Sequence, residues 1–306
     1  MKFYTHCVAM YDYIYYRGYE DGRRVSERIP YKPSLFVPTT KPTKYKTIYN
    51  EPVERMIFES MTECTNFVKR YDGIDNFDLY GNTKYLYAYL SDEFPDNRVE
   101  FNMDNIVTAI IDIEVASYDG MPDVDVAKDE VLAISVKVGE RYYVYGCKEY
   151  RNQNPKVIYR KCDDEVELLQ IFLEDWKKID ADVVSGWNCQ CFDVPYLINR
   201  ISNLLGENVA KRMSPWNKIS RRTAKMMGRE NTVISLIGTN ILDYIELYRK
   251  YSPTGNQPTY KLNYIAHVEL NEAKLDYSEY SNLNELYEKD YQLFIDYNIK
   301  DVELVS

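Results

Sequence analysis

Residues 106–115 set two acids, Asp112 and Glu114, into an otherwise strongly apolar run, and this is the tightest constraint in the chain. Side chains of a strand alternate between its faces. Asp112 and Glu114 therefore project together, while Ile111, Ile113 and Val115 point into a core. Two like charges side by side on a buried strand repel each other and lose hydration, a cost that a cation between them relieves. An edge strand with one solvated face reads the same way, so the pair alone leaves both readings open.

Two further segments carry acids in suggestive places. In Gly186-Trp187-Asn188-Cys189-Gln190-Cys191-Phe192-Asp193-Val194-Pro195-Tyr196, Asp193 falls at a strand–loop–helix junction with Pro195 just inside the helix. Taken alone, Asp193 reads best as a helix cap. In Tyr297-Asn298-Ile299-Lys300-Asp301, the hydroxyl and the carboxylate four residues apart share one helix face. A solvated terminal helix offers the same pattern.

Composition narrows the chemistry. The chain has 306 residues, enough for two separate cores, and no run of about 18 apolar residues to span a membrane. Its first residues lack the apolar core of a secretory signal, so the expected location is the cytoplasm, or the host cytoplasm for a viral protein. Cys189 and Cys191 are the only close pair among six cysteines, and with two histidines, His6 and His267, no Cys/His zinc spacing can be assembled. A net charge of −10 argues against binding nucleic acid by bulk electrostatics. It leaves room for a metal-dependent enzyme, because bound cations reverse the local sign of clustered carboxylates. Most of the 31 tyrosines are expected simply to pack, although bases can stack on a few.

The pattern of elements changes near residue 102. Before it, short strand signals (residues 3–16, with a turn at Tyr19-Glu20-Asp21-Gly22) give way to a proline-punctuated stretch and a helix over 61–70. After it, strands are expected over 106–115, 131–138, 142–145 and 183–187. A helix capped by Asp163 follows the third, with Val166, Leu169, Phe172, Leu173 and Trp176 as its apolar face. Helices are also expected over 194–205, with Gly206 as C-cap, and over 241–251, 260–267 and from 284 to the end, where the last looks cut short. Residues 221–237 read as a hairpin with Met227-Gly228-Arg229 near its tip. The whole is α/β (α+β): a mixed sheet flanked by helices over 103–306, preceded by a smaller, mostly β domain over 1–102.

The order and local spacing of the three acidic segments resemble the exonuclease motifs of family B DNA polymerases. Four further segments resemble the T-even-type phage members in particular: Tyr31-Lys32-Pro33-Ser34-Leu35-Phe36, Lys211-Arg212-Met213-Ser214-Pro215, Leu242-Asp243-Tyr244-Ile245-Glu246-Leu247-Tyr248 and Asn256-Gln257-Pro258-Thr259-Tyr260. The likeness covers nearly the whole chain. It implies a ribonuclease H-like exonuclease domain behind a polymerase N-terminal domain, and 3′→5′ proofreading of single-stranded or frayed DNA ends. It implies Asp112, Glu114, Asp193 and Asp301 as ligands of two divalent cations, magnesium or manganese, and Tyr297 as the residue that helps orient the attacking water. Two such cations activate water and relieve charge on the leaving oxygen.

The resemblance also implies DNA contacts. Phe192 stands where the family has an aromatic that wedges among unpaired bases. Met121 follows Asp119-Gly120 where related enzymes carry another aromatic. Asn188 is placed to hydrogen-bond substrate or its own loop. The basic residues Arg222, Lys225 and Arg229 of the hairpin would help part primer from template, and Lys261 would reach a phosphate. The Asp-Thr-Asp strand motif of the polymerase palm is absent, so nucleotide addition by this polypeptide alone is not expected. Its partners would be primer-template DNA, a C-terminal polymerase portion or subunit, and through that part the sliding clamp, with no membrane. The rival readings are a non-catalytic assembly subunit of a split polymerase and a ribonuclease of the same carboxylate superfamily.

Overall fold

The structure is a computed structural model that describes the chain apart from residues 72, 75, 76, 97, 119, 227 and 228 and the side chains of residues 224–226 and 229–231. The chain forms two compact units, Met1–Asn105 and Ile106–Ser306. Among the described residues no helix is long and apolar enough to cross a membrane.

In the first unit β1 (Lys2–Met10), β2 (Tyr13–Glu20) and β3 (Arg23–Pro30) form an antiparallel sheet. The strand-rich stretch 3–16 divides at Tyr11, which takes a left-handed turn conformation (φ 57°), between β1 and β2. β4 (Ser34–Pro38) pairs with β5 (Val53–Ile57), and α1 (Met61–Tyr71) and α2 (Tyr85–Glu93) complete the unit. α1 buries Met61 and Cys64 and half-buries Phe67 and Val68, the spacing of one helix face.

The second unit is built on a six-stranded mixed sheet. Its strands are β6 (Thr108–Val115), β7 (Val131–Val138), β8 (Arg141–Gly146), β9 (Val157–Lys161) and β10 (Val183–Ser185), with a paired ribbon β11 (Ile219–Met226) and β12 (Arg229–Leu236) apart from it and β13 (Asn240–Ile241) at one edge. The order across the sheet is β13-β10-β6-β7-β8-β9; β6 runs parallel to β10 and antiparallel to β7. Helices α3 (Glu165–Ile179), α4 (Asp193–Leu205), the short α5 (Glu207–Ala210), α6 (Tyr244–Tyr251), α7 (Leu262–Leu270), α8 (Leu283–Lys289) and α9 (Tyr291–Val305) flank it.

The alternation of β6 divides two cores. Ala109, Ile111, Ile113 and Val115 join the core made with Leu168, Leu169, Phe172 and Leu173 of α3 and Val194, Leu197 and Ile198 of α4. On the opposite face, Leu132, Ala133 and Val144 of the neighbouring strands pack with Leu286 of α8 and Phe294, Ile295 and Val302 of α9. Asp112 and Glu114 therefore lie on the side of the sheet that α9 covers.

Several boundaries differ from expectation. The cap of α3 is Asp164, which accepts the Glu167 N–H at 2.9 Å, in place of Asp163. Within α3 Val166 faces outward, 38% exposed, and Leu168 is buried instead. The single helix expected from 284 is two helices, because Asp290 caps a new one by accepting the Leu293 N–H. β9 and β13, too short to carry a clear alternation, went unread.

One ion pair ties the segment after β6 to the helical layer. Arg200 of α4 forks onto Glu165 of α3 at 2.8 and 2.6 Å and donates to the Lys128 carbonyl at 2.6 Å, while Glu165 accepts the Val131 N–H. Removing one partner leaves a half-buried charge unpaired. Arg200→Ala is expected to cost the second unit about 3–5 kcal/mol in urea unfolding, and a loss below about 1 kcal/mol would contradict this placement.

Candidate active site

Three distant segments meet on the α9 side of the sheet. β6 supplies Asp112 and Glu114, and a bulge in the β6–β7 ladder falls between Glu114 and Val115, at the end of the acidic stretch. The loop after β10 passes close beside β6. At Gly186 an added Cβ would stand 2.5 Å from the Ile111 carbonyl oxygen, so only glycine fits there. That loop leads into α4, whose first residue is Asp193. Its carboxylate does not cap the helix from outside; Oδ1 accepts the Ile113 N–H at 3.0 Å, on the strand between the two β6 acids. α9 contributes Tyr297 and Asp301 from one face, as their spacing requires.

Asp112, Glu114 and Asp301 each offer an oxygen within 4.8 Å of the others. Asp193 stands outside this trio but acts on it electrostatically. Burial pushes all four acids upward; neighbouring carboxylates add to the rise at Asp112, Glu114 and Asp193, whereas at Asp301 Lys274 opposes it. Asp112 rises well above the ordinary range under burial and the charges of Asp301, Asp193 and Glu114. Glu114 is pushed up to about 8 by burial and Asp301. Asp193 is pushed up to about 7 by burial, although the Ile113 N–H opposes the rise. Tyr297 is also raised, by burial and then by Asp301, so its phenol stays protonated.

A lysine enters this acidic site. Lys274, from the segment after α7, forms an ion pair with Asp301 Oδ2 and donates to the Tyr297 hydroxyl at 3.0 Å. Burial alone would lower its pKa, yet Asp301, Tyr297 and Asp112 together raise it, so it is a fixed cation. The other carboxylate oxygen of Asp301, Oδ1, is buried with no hydrogen-bond donor among the described residues. An orphaned acceptor beside two more carboxylate oxygens is a donor set of hard oxygens, which fits a magnesium- or manganese-type cation.

Residues that sequence reasoning passed over complete the site. Lys274 lies in a loop with no pattern to mark it. Asn298 is fully buried and donates from Nδ2 to Asp112 Oδ2 at 2.7 Å, and Ser135 of β7 donates to Asn298 Oδ1. Asn298 was legible in principle, as the neighbour of Tyr297 on α9, and Ser135 as the single hydroxyl in an apolar strand. Asp243 caps α6 and also accepts the N–H groups of Asn188 and Gln190 at 3.0 and 2.9 Å, which shapes the loop ahead of Asp193.

The expected DNA contacts are more scattered. Phe192 is half-buried and stacks on Tyr196, 5.6 Å between ring centroids, so packing accounts for at least one of its faces. Asn188 has φ 69°, and its carbonyl accepts the N–H groups of Cys191 and Phe192, the arrangement of a residue that makes its own turn. Met121 is 82% exposed. Arg222 is exposed on β11, and Lys261 is exposed just before α7. Lys225 and Arg229 lie on the β11–β12 ribbon, but their side chains, like Met227-Gly228 and Asp119, are outside the described residues.

Comparison with known proteins points the same way as this geometry. The family model described as DNA polymerase family B, exonuclease domain, matches residues 68–265. A DNA-directed DNA polymerase of Escherichia phage RB69 is 35% identical over 92% of this chain and 34% of its own length. A DNA-directed DNA polymerase of Enterobacteria phage T4 is 29% identical over 94% of this chain and 34% of its own. The DNA polymerase delta catalytic subunit of Bos taurus is 32% identical over 37% of the chain. The chain thus spans about a third of the length of the phage relatives it matches. With an exonuclease-domain match across most of its residues and a T-even-type phage polymerase matching nearly all of them, the chain belongs to DNA polymerase family B.

Proposed function

We propose that this chain is a metal-dependent 3′→5′ exonuclease that removes the terminal nucleotide of single-stranded or frayed DNA, the proofreading activity of a phage replicative polymerase. The observation that supports it most is the convergence of Asp112, Glu114 and Asp301 with an unsatisfied oxygen on Asp301. In this reading Met1–Asn105 is the polymerase N-terminal domain and Ile106–Ser306 the exonuclease domain. The polymerase portion present in the relatives is its partner, primer-template DNA its substrate, and the host cytoplasm its place of work. A sliding clamp would be reached through that polymerase portion.

Asp112, Glu114 and Asp301 would hold one divalent cation, with Asp112 shared toward a second near Asp193. Bound there, such cations supply a nucleophile at neutral pH and relieve charge on the phosphate and the leaving 3′-oxygen. The protein's own groups prepare that chemistry. Lys274 fixes Asp301 and Tyr297 against each other. The Tyr297 oxygen accepts from Lys274, so its own proton remains free to point at a water or a phosphate oxygen. The edge-on contact of the Tyr297 ring with Tyr277, 5.2 Å between centroids, holds the ring in place. Phe192, Asn188, Met121, Arg222, Lys225, Arg229 and Lys261 remain candidate DNA contacts around this centre.

The direct test is release of the 3′-terminal nucleotide from a 3′-labelled single-stranded DNA, with and without magnesium. Asp112→Ala should reduce it by about 10³-fold or more, the scale of losing a group that stabilises a developing charge. Near-parent activity in that variant, or equal cleavage in the presence of a chelator, would remove the proposal. A preference for RNA ends would point to a ribonuclease instead.

Tyr297→Phe keeps the ring contact and loses the hydroxyl. The turnover rate at saturating DNA is expected to fall about 10–100-fold with little change in thermal stability. An unchanged rate would exclude a role for that hydroxyl.

The acid cluster also makes a pH signature. Glu114 and Asp193 stand at about 8 and about 7 in the folded chain, against ordinary values of 4.5 and 3.8. The folded protein therefore holds more protons than the unfolded one between those values, and stability falls as pH rises through the window. Without divalent cations, the melting temperature is expected to drop from about pH 5 to about pH 8, with a shallower slope in Glu114→Gln. Magnesium should stabilise the protein more at the upper end. A slope in Glu114→Gln equal to that of the parent would refute the assignment.

A further inference from the structure

One polar chain in the site has no part in the chemistry described so far. Ser135 sits in β7 between Ile134 and Val136, fully buried, and is the residue paired with Asp112 across the β6–β7 ladder. Asn298 of α9 is fully buried as well. Its amide bridges the two, accepting from the Ser135 hydroxyl and donating to Asp112 Oδ2.

The direction of these bonds follows from donor and acceptor types. In the ionised form that a cation would bind, a carboxylate only accepts, so Asp112 then requires the NH2 end of the amide. The amide oxygen is then turned to Ser135, whose hydroxyl can donate or accept and here donates. Each member thus determines the orientation of the next. The bridge is neutral, and that matters beside Asp112. A lysine in this position would compete with a divalent cation for the carboxylate's charge, as Lys274 does at Asp301. An amide holds one oxygen in place and leaves the charge available.

We propose that Asn298, oriented by Ser135, is a positioning residue that sets the affinity of Asp112 for a divalent cation. This rests on the reading of the acid cluster as a cation site. A purely structural role makes a different demand. If Asn298 served only to satisfy the buried Ser135 hydroxyl, replacing both by apolar groups of similar shape would be nearly neutral in every respect, because neither would then need a partner.

The experiment uses that difference. The double variant Ser135→Ala with Asn298→Leu removes the bridge without leaving an unpaired polar group between the two positions. Manganese binding to the DNA-free protein is measured by calorimetry, with thermal unfolding alongside. The double variant is expected to unfold within a few degrees of the parent and to bind manganese about 10–100-fold more weakly. Magnesium titrations of cleavage should shift the half-maximal concentration upward by a similar factor, with most of the rate recovered at saturation. Ser135→Ala alone, the smaller change, covers the case in which the double variant does not fold and should weaken manganese binding several-fold. Parent-like manganese affinity in a folded double variant, or in Ser135→Ala if only that variant folds, overturns the proposal. Asp112→Ala separates the two levels of inference. If it too binds manganese like the parent, the cation site itself is wrong; if only Asp112→Ala loses binding, the site stands and the positioning role falls.

Discussion

Like charges held together out of water are the constraint around which the second unit is arranged. Asp112, Glu114, Asp193 and Asp301 act on one another through a buried region where each carboxylate costs more than it would in solvent. Lys274 compensates one of them. The Ile113 N–H holds Asp193 and the Asn298 amide holds Asp112, orienting those two carboxylates without neutralising them. A fold selected for stability alone would place apolar residues at these positions. Their retention on three separate elements is the kind of local conflict that marks a functional site.

The rest of the unit can be understood as support for that concentration of charge. β6 separates two cores, so its acids are held by packing on one face and covered by α9 on the other. Gly186 lets the loop after β10 approach β6, and Asp243 shapes that loop before it delivers Asp193. Arg200 and Glu165 tie down the segment that follows the acidic strand. None of these residues needs to touch a substrate. Each limits how far a carboxylate can move.

What the amino-acid order reveals about this arrangement depends on the range of the interaction. The β6 acids were legible because strand alternation is local, and the Tyr297–Asp301 pair because helical spacing is local. Asp193 was ambiguous alone, since a residue at a helix start has an ordinary reason to be acidic; only its bond to the Ile113 N–H, 80 residues away, separates the two readings. Lys274 is reached through a loop, where no periodicity marks which side chain turns inward. The bridge from Ser135 to Asn298 spans 163 residues and joins two side chains that are unremarkable separately. Local errors had local causes. Neighbouring aspartates at 163 and 164 compete for one cap, and Asp290 interrupts a pattern otherwise continuous enough to read as a single helix.

Under the proposed function these acids are gathered to hold divalent cations. Diffraction from crystals grown with manganese, recorded at a wavelength where manganese scatters anomalously, tests it most directly. An anomalous peak is expected within bonding distance of carboxylate oxygens of Asp112, Glu114 and Asp301, with Asp301 Oδ1 among the ligands. Well-ordered crystals at saturating manganese with no peak among those carboxylates would contradict it.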